Sequence, residues 1–170
     1  MTAHYVIVGL IALQRLAEMV YSRRNIKRLV AAGGVVVAEP AYPWIVAVHV
    51  GWLLALAFAI PPNAPVQQPF LLLYLAILAA RVWVMASLGR YWATRIVTLP
   101  EAPLVDKGPY GLIRHPNYVV VAAEILVAPL IFDAWIIAIV FSVLNAGVLY
   151  LRIEREDSVL AARRAQRPEG

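Results

Sequence analysis

The sequence is short of charge and contains no cysteine. Only 15% of its 170 residues are charged and 62% are hydrophobic, whereas a soluble domain is about a quarter charged and about half apolar. The lack of cysteine excludes disulfide bonds, thiolate metal ligands and a cysteine nucleophile. His4, His49 and His115 lie far apart in the chain, which disfavours a catalytic zinc with three close protein ligands. The composition therefore predicts a membrane protein without a metal site.

A glycine-rich Gly-x-Gly-x-x-Gly segment is also absent, so the usual dinucleotide-type cofactor fold is not expected. The net charge of +5 would suit nucleic acid, but the basic residues gather at the ends of apolar runs, where they indicate membrane topology instead. We therefore expect no nucleic-acid partner. The length predicts a single domain over residues 1–170.

Five apolar runs are long enough to cross a membrane as helices, since a bilayer core of about 30 Å needs about 20 apolar residues, with about 17 to 25 allowed. They cover residues 4–21, 42–60, 70–88, 116–132 and 134–152. The last run continues as a polar helix towards Arg164. The sequence thus predicts an all-α integral membrane bundle of five transmembrane helices.

The distribution of arginine and lysine predicts the orientation of this bundle. Basic residues follow the first, third and fifth runs, whereas the loops at 61–69 and 132–134 contain none. By the positive-inside rule the N-terminus lies outside and the C-terminus is cytoplasmic. The segment 89–115 is then a long cytoplasmic connection, and long ordered connections tend to be functional.

Five ionisable residues interrupt the apolar runs: Arg15, Glu18, His49, Arg81 and Glu124. Such residues are costly in a bilayer and by default face a cavity or a partner. All five are expected in the inner half of the membrane, where they would line one polar cavity open to the cytoplasm. The alternatives are that Arg15 and Glu18 neutralise each other, that Arg81 snorkels to the interface and that His49 is a packing residue. Glu124 has no local partner and is the strongest functional candidate.

The most distinctive local motif runs from Gly108 to Tyr118, Gly-Pro-Tyr-Gly-Leu-Ile-Arg-His-Pro-Asn-Tyr. Proline suits the first turn of a helix, so Pro116 predicts a helix start with His115 at or just before the cap. The free N–H groups there favour an anionic group such as a carboxylate. Asn117 and Glu124 are seven residues apart and share a face.

A second motif lies where the fifth run leaves the membrane. Asn145, Arg152 and Glu156 stand at i, i+7 and i+11, on one stripe of one helix. This stripe either lines a pocket that reaches down to Asn145 or belongs to an ordinary solvated helix end.

Together these motifs resemble the isoprenylcysteine carboxyl methyltransferase family and its relatives among the phospholipid methyltransferases. The likeness covers about residues 90–160 and rests on the Gly-Pro-Tyr, Arg-His-Pro-Asn-Tyr and Arg-x-x-x-Glu elements. It implies a membrane methyltransferase that uses S-adenosyl-L-methionine, with the cofactor site in that region. The cofactor-binding residues it implies are Ala102, Pro103, Leu104, Val105, Tyr110, His115, Pro116, Asn117, Tyr118 and Glu156.

The same resemblance implies that Arg152 addresses the acceptor. Eukaryotic prenylcysteine enzymes of the family carry a histidine where this chain has Ala102. The segment Thr94–Ile96 and Glu124 instead resemble a bacterial branch, some members of which O-methylate alkylpyrones and alkylresorcinols. This branch implies a multi-pass protein of the bacterial inner membrane. The distribution of basic residues predicts that its active site faces the cytoplasm.

The sequence therefore predicts methyl transfer to an oxygen of a lipophilic acceptor drawn from the bilayer. Arg152, Glu124 and Asn145 are the candidate catalytic residues, with Glu124 as a general base if the acceptor is a hydroxyl. Carboxyl methylation of a prenylcysteine and N-methylation of a phospholipid are the alternatives within enzymes. A small transporter or membrane interaction protein is the alternative of another class. The natural acceptor and the oligomeric state are left open.

Overall fold

The described part of the chain contains five α-helices and one short two-stranded sheet. A computed structural model describes residues 3–99 and 105–165, with side chains as far as residue 161. The elements are α1 (Ala3–Ala31), β1 (Val35–Val36), α2 (Tyr42–Phe58), α3 (Gln68–Leu88), β2 (Val97–Thr98), α4 (Pro116–Leu130) and α5 (Trp135–Ala165). Two 3₁₀ turns, Gly89–Tyr91 and Gly108–Gly111, lie between α3 and α4.

Three of the helices are long and apolar enough to cross a membrane, namely α1, α3 and α5. The helices α2 and α4 are apolar but shorter, with 17 and 15 residues. Large apolar side chains point outward, and Phe58 and Ile136 are 82% and 80% exposed. Such a surface is typical of a protein surrounded by lipid. The chain is an integral membrane protein; the five-span count and its orientation stay predictions.

The end of α1 is the largest departure from the predicted helix bounds. The helix continues ten residues beyond position 21, because Ser22 and Asn25 are buried against the segment that follows α3. It then stops in a Schellman motif, in which the N–H groups of Gly33 and Gly34 donate to the carbonyls of Val30 and Leu29 at 3.0 and 2.9 Å. Gly33 has the positive φ of 90° that this motif requires.

The helix α4 lies at the centre of the bundle, with ten of its 15 residues buried. Its side chains Ile125 and Ala128 pack with Trp52 and Leu56 of α2 in the main hydrophobic core. The Trp52 indole donates a hydrogen bond to the Ile125 carbonyl at 3.2 Å. This packing fixes the C-terminal half of α4 against α2.

The two strands are an element that the all-α prediction did not include. They pair antiparallel, with Val35 opposite Thr98 and Val36 opposite Val97, and the Val37 N–H extends the ladder to the Ile96 carbonyl at 2.9 Å. Two-residue strands carry no detectable period in a sequence. The sheet joins the α1–α2 loop to the segment between α3 and α4.

Candidate active site

A cavity of about 500 Å³ lies between the α3–α4 segment, the start of α4 and the C-terminal half of α5. One wall is the extended segment 95–99, which includes β2. Aromatic rings of Tyr91, Trp92, Tyr110 and Tyr118 form a second part of the lining. Ionisable side chains complete it: Arg95, Asp106, Arg114, His115, Arg152 and Glu156. The cavity therefore offers flat apolar surfaces beside groups of both signs.

The Gly-Pro-Tyr-Gly turn brings Tyr110 into this lining. Gly108 has a φ of 57°, and a Cβ there would lie 2.5 Å from Ser87 Oγ. A Cβ on Gly111 would lie 2.7 Å from the Asp106 carbonyl oxygen. Both positions therefore need glycine, one for its backbone conformation and both for space.

The Tyr110 hydroxyl is buried and has no hydrogen-bond partner within the described residues. Burial raises the pKa of this phenol, and the nearby Glu156 carboxylate raises the pKa further. The hydroxyl consequently stays protonated and can donate. A buried polar atom without a partner is uncommon, so this hydroxyl is suited to meet a bound ligand.

The predicted start of α4 at Pro116 is where the helix begins, with His115 at the cap position. His115, Asn117 and Tyr118 line the cavity, whereas Pro116 is buried behind them. His115 Nε2 lies 3.2 Å from Asp157 Oδ1 on α5, and its ring stacks on Tyr118 with centroids 5.5 Å apart.

The Asn117 side chain is held by a contact from the segment before α4. The Trp92 indole donates a hydrogen bond to Asn117 Oδ1 at 3.2 Å. Trp92 itself is 2% exposed, and its carbonyl accepts a hydrogen bond from Asn25 Nδ2 at 2.8 Å. The first turn of α4 is thus fixed by side chains from α1 and from the α3–α4 segment.

The Arg-x-x-x-Glu element meets the His-Pro-Asn-Tyr motif at the Tyr118 hydroxyl. This hydroxyl donates to Glu156 and accepts a hydrogen bond from Arg152 Nε at 2.9 Å. Arg152 Nη2 also donates to the Thr94 carbonyl at 2.6 Å. Arg152 and Glu156 both line the cavity, so this end of the stripe faces the pocket. Asn145 is buried two turns earlier on α5 and is not among the lining residues.

Glu124 lies away from the cavity, among charged residues of three helices. It has 0% exposure and belongs to a network of α1, α3 and α4 that we call the ion-pair cluster, formed by Gln14, Arg15, Glu18, Arg81 and Glu124. Within the described residues, none of these five lines the cavity. The expectation that the intramembrane charges line one open polar cavity is therefore wrong, because the charges neutralise one another across helices.

The other interpretations of Arg15, Glu18, Arg81 and His49 are confirmed for some of these residues and wrong for others. Arg15 and Glu18 do pair, at 3.0 Å, but Arg15 also reaches Glu124 at 2.7 Å. Arg81 does not snorkel, since it is 4% exposed and lies 2.6 Å from Glu18 and 3.3 Å from Glu124. His49 is a packing residue whose Nδ1 lies 2.8 Å from the Ile45 carbonyl one turn earlier.

Of the segment Ala102 to Val105 that the family resemblance implies, the structure describes only the last residue. Val105 lines the cavity, whereas Ala102, Pro103 and Leu104 lie outside the described residues. Glu39, by contrast, was missed from the sequence: it is 8% exposed and its carboxylate reaches Arg95, Arg152 and the Ile96 N–H. A lone acidic residue in a loop between helices gives no local signal of these distant partners.

Comparisons with known proteins bear on the same region. The model of the isoprenylcysteine carboxyl methyltransferase (ICMT) family matches residues 70–162, which include most of the cavity lining. A Bacillus subtilis (strain 168) protein described as uncharacterized protein YpbQ is 36% identical over 160 residues, which cover 92% of this chain and 95% of that protein. No solved structure matches. The chain belongs to the isoprenylcysteine carboxyl methyltransferase family, a family of membrane methyltransferases.

Proposed function

We propose that this protein uses S-adenosyl-L-methionine to methylate an oxygen atom of a lipophilic acceptor. The observation that carries the proposal is the contact between the two family motifs, in which the Tyr118 hydroxyl joins Glu156 to Arg152 at the wall of the cavity. One carboxylate and one guanidinium then face the same space, so the cavity suits a cationic donor and an anionic acceptor together.

The residues present fit the cofactor. The cavity volume falls within the range of about 300 to 1,000 Å³ that is usual for small-molecule sites. Glu156 and the aromatic faces suit a positively charged ligand, and the unpartnered Tyr110 hydroxyl provides a hydrogen-bond donor. We propose that Val105, Tyr110, His115, Asn117, Tyr118 and Glu156, all at the cavity, hold the cofactor, with Pro116 fixing the helix start behind them.

Bound S-adenosyl-L-methionine supplies a methyl group activated by its positively charged sulfur. The protein then has to hold an acceptor oxygen in line with that methyl group and to exclude water. Arg152 is placed to hold the acceptor oxygen in line with the methyl group. Its guanidinium is held by Tyr118 and by the Thr94 carbonyl, and a fixed guanidinium orients an oxyanion through charge-assisted hydrogen bonds.

The position of Glu124 narrows the choice of acceptor. A general base must lie within hydrogen-bond reach of its proton or be one water away, and Glu124 is instead ion-paired away from the cavity. An acceptor that is already anionic therefore suits the site better than a neutral phenol. A hydroxypyrone is acidic enough to ionise near neutral pH, so we favour an alkylpyrone over an alkylresorcinol.

The carboxylate of a prenylcysteine-like molecule meets the same requirement and is the second candidate. A phospholipid amine is disfavoured by Arg152, since a guanidinium repels a cationic head group. We further propose that the cavity faces the cytoplasm of a bacterial inner membrane, where the cofactor enters from water and the acceptor enters from the bilayer between helices. Ser22, Thr94 and the 3₁₀ turns would then lie near the inner interface.

The test is product analysis with protein reconstituted in lipid nanodiscs. Methyl-labelled S-adenosyl-L-methionine is supplied with an alkylpyrone, an alkylresorcinol, a farnesylated cysteine or phosphatidylethanolamine, and products are identified by mass spectrometry. We expect an O-methylated alkylpyrone, formed far more slowly but still measurably by Arg152→Gln and at the wild-type rate by Arg24→Gln, which changes an exposed arginine on α1. Methylation of the amine alone would contradict the proposed acceptor class.

A further inference from the structure

Glu39 lies outside the family-matched region, in the loop between α1 and α2, yet it is buried beside the cavity. Its side chain is 3% exposed. It is absent from the cavity lining, as far as the described residues show. A carboxylate is costly to bury unless it is paired with a cation and hydrogen-bonded. The partners of the Glu39 carboxylate therefore indicate its role.

One oxygen of Glu39 fixes the extended wall of the cavity. Oε1 accepts a hydrogen bond from the Ile96 N–H at 2.8 Å and one from Arg95 Nε at 3.2 Å. Arg95 also lies over the Tyr42 ring, at 4.3 Å from its centroid. The neighbouring pairing of β1 with β2 holds the same wall from the same loop.

The other oxygen faces Arg152. Glu39 Oε2 lies 3.7 Å from Arg152 Nη1 and has no hydrogen-bond partner within the described residues. Among the described residues, this guanidinium also donates hydrogen bonds to the Tyr118 hydroxyl from Nε and to the Thr94 carbonyl from Nη2. Glu39 therefore places a carboxylate oxygen opposite Nη1, which makes no hydrogen bond with any described residue.

We propose that Glu39 is a positioning residue that acts through Arg152. It fixes the plane and orientation of the guanidinium so that the edge facing the cavity meets an anionic acceptor. This inference rests on the proposed function, because it assigns the orientation of the arginine that addresses the acceptor. The loop between α1 and α2 then completes an active site whose other parts come from the C-terminal half of the chain.

The experiment compares Glu39→Gln with Glu154→Gln. Glutamine keeps the size of Glu39 and an oxygen for the Ile96 N–H but removes the charge opposite Arg152. Glu154 is an exposed acid on α5 and forms no ion pair among the described side chains, so its variant controls for charge alone. Each variant is titrated with S-adenosylhomocysteine, and methyl transfer to an alkylpyrone and to a farnesylated cysteine is measured.

We expect Glu39→Gln to bind S-adenosylhomocysteine within about threefold of wild type while kcat/KM for the acceptor falls about 10- to 100-fold, the usual scale for a misplaced reacting group. In an Arg152→Gln background the same substitution should have no further effect, since residues acting through one another are not additive. Additive losses, unchanged kinetics or lost cofactor-analogue binding would each overturn the proposal. Glu39→Asp, which retains the charge, should recover part of the activity.

A measurement without turnover separates this proposal from the proposed function. In protein labelled with ¹⁵N-arginine, the Arg152 Nε–H resonance is identified by its loss in Arg152→Lys. We expect that resonance to shift or broaden in Glu39→Gln and to stay in place in Glu154→Gln. An unmoved resonance overturns the positioning role. If wild-type protein binds no S-adenosylhomocysteine, the proposed function fails. The resonance still reports whether Glu39 contacts Arg152, so the two failures can be distinguished.

Discussion

Arg15 Nη2 lies 2.7 Å from Glu124 Oε2, and this contact joins α1 to α4 inside the bundle. Glu124 also lies 3.3 Å from Arg81 of α3, so one carboxylate connects three helices. The cluster contains two arginines and two glutamates and is neutral as a whole. Arg81 further lies 5.8 Å from the centre of the Trp92 ring, which lines the cavity. The cluster thus joins three helices and reaches the wall of the cavity through Trp92.

Glu124→Gln should lower stability more than it lowers catalysis. Removing one partner of a buried ion pair leaves an uncompensated charge and costs about 3 to 5 kcal/mol. We expect a clear drop in the melting temperature in detergent, with residual methyl transfer at temperatures where the variant is folded. Glu154→Gln is the control and should melt like wild type. A variant with unchanged melting temperature and abolished kcat would show instead that Glu124 is a catalytic base.

Tyr118→Phe removes the hydroxyl shared by Glu156 and Arg152 but keeps the ring that stacks on His115. Hydrogen bonds to charged groups contribute about 1.5 to 3 kcal/mol. Because the hydroxyl orients the Glu156 carboxylate that we propose holds the cofactor, its loss should raise the Kd for S-adenosylhomocysteine about 10- to 100-fold in calorimetric titration. Tyr150→Phe, which changes a tyrosine that is 67% exposed on the same helix as Glu156, should leave the Kd unchanged. If Tyr118→Phe and wild type bound S-adenosylhomocysteine with equal affinity, this hydroxyl would have no role in cofactor binding.

Gly108→Ala should destabilise the protein and weaken binding of the cofactor analogue. The positive φ at this position costs an L-residue about 1 to 2 kcal/mol, and the new Cβ would press on Ser87 and on Trp83, 3.1 Å away. The matched variant is Gly147→Ala, in the middle of α5 with open space around the new Cβ, where alanine favours the helix by about 0.5 to 1 kcal/mol. Equal melting temperatures for the two variants would contradict the assigned turn geometry.

Tyr110 provides a test that depends on pH. Its pKa is raised above the ordinary value of 10.0, so the neutral phenol is the donor at every pH below that value. Tyr110→Phe should weaken S-adenosylhomocysteine binding about 2- to 12-fold, the loss of one neutral hydrogen bond, and by the same factor at pH 7 and pH 9. The stability from burying this neutral phenol is complete below pH 10 and is lost only as the pH rises through the raised pKa. A factor that shrinks between pH 7 and pH 9 would contradict this assignment.

The local parts of the fold could be predicted from the sequence. Pro116 indicated the start of α4, and the apolar runs located all five helices because helix length and hydrophobicity are local properties. The continuation of α1 beyond Tyr21 could not be predicted. Ser22 and Asn25 are polar, and they stabilise the helix through hydrogen bonds to residues 89–94, which are distant in sequence.

Part of the candidate site could likewise be predicted from local motifs, and part of it could not. Tyr110, Tyr118, Arg152 and Glu156 lie in recognisable motifs, and all four line the cavity. The ion pairs of Glu124 and the contacts of Glu39 depend on which helices are neighbours, and no pattern within a single helix or loop carries that information. The two-residue strands β1 and β2 could not be predicted either, because two residues are too few to show the alternation of apolar and polar residues that indicates a strand.

The most direct test of the proposed function is calorimetric binding of S-adenosylhomocysteine to detergent-purified protein, with Glu156→Ala and His115→Ala compared with wild type. We predict micromolar binding by wild type that is lost in both variants, with melting profiles showing that both remain folded. Well-folded wild-type protein that binds no S-adenosylhomocysteine would contradict the methyltransferase proposal and would favour a transporter or a membrane interaction protein.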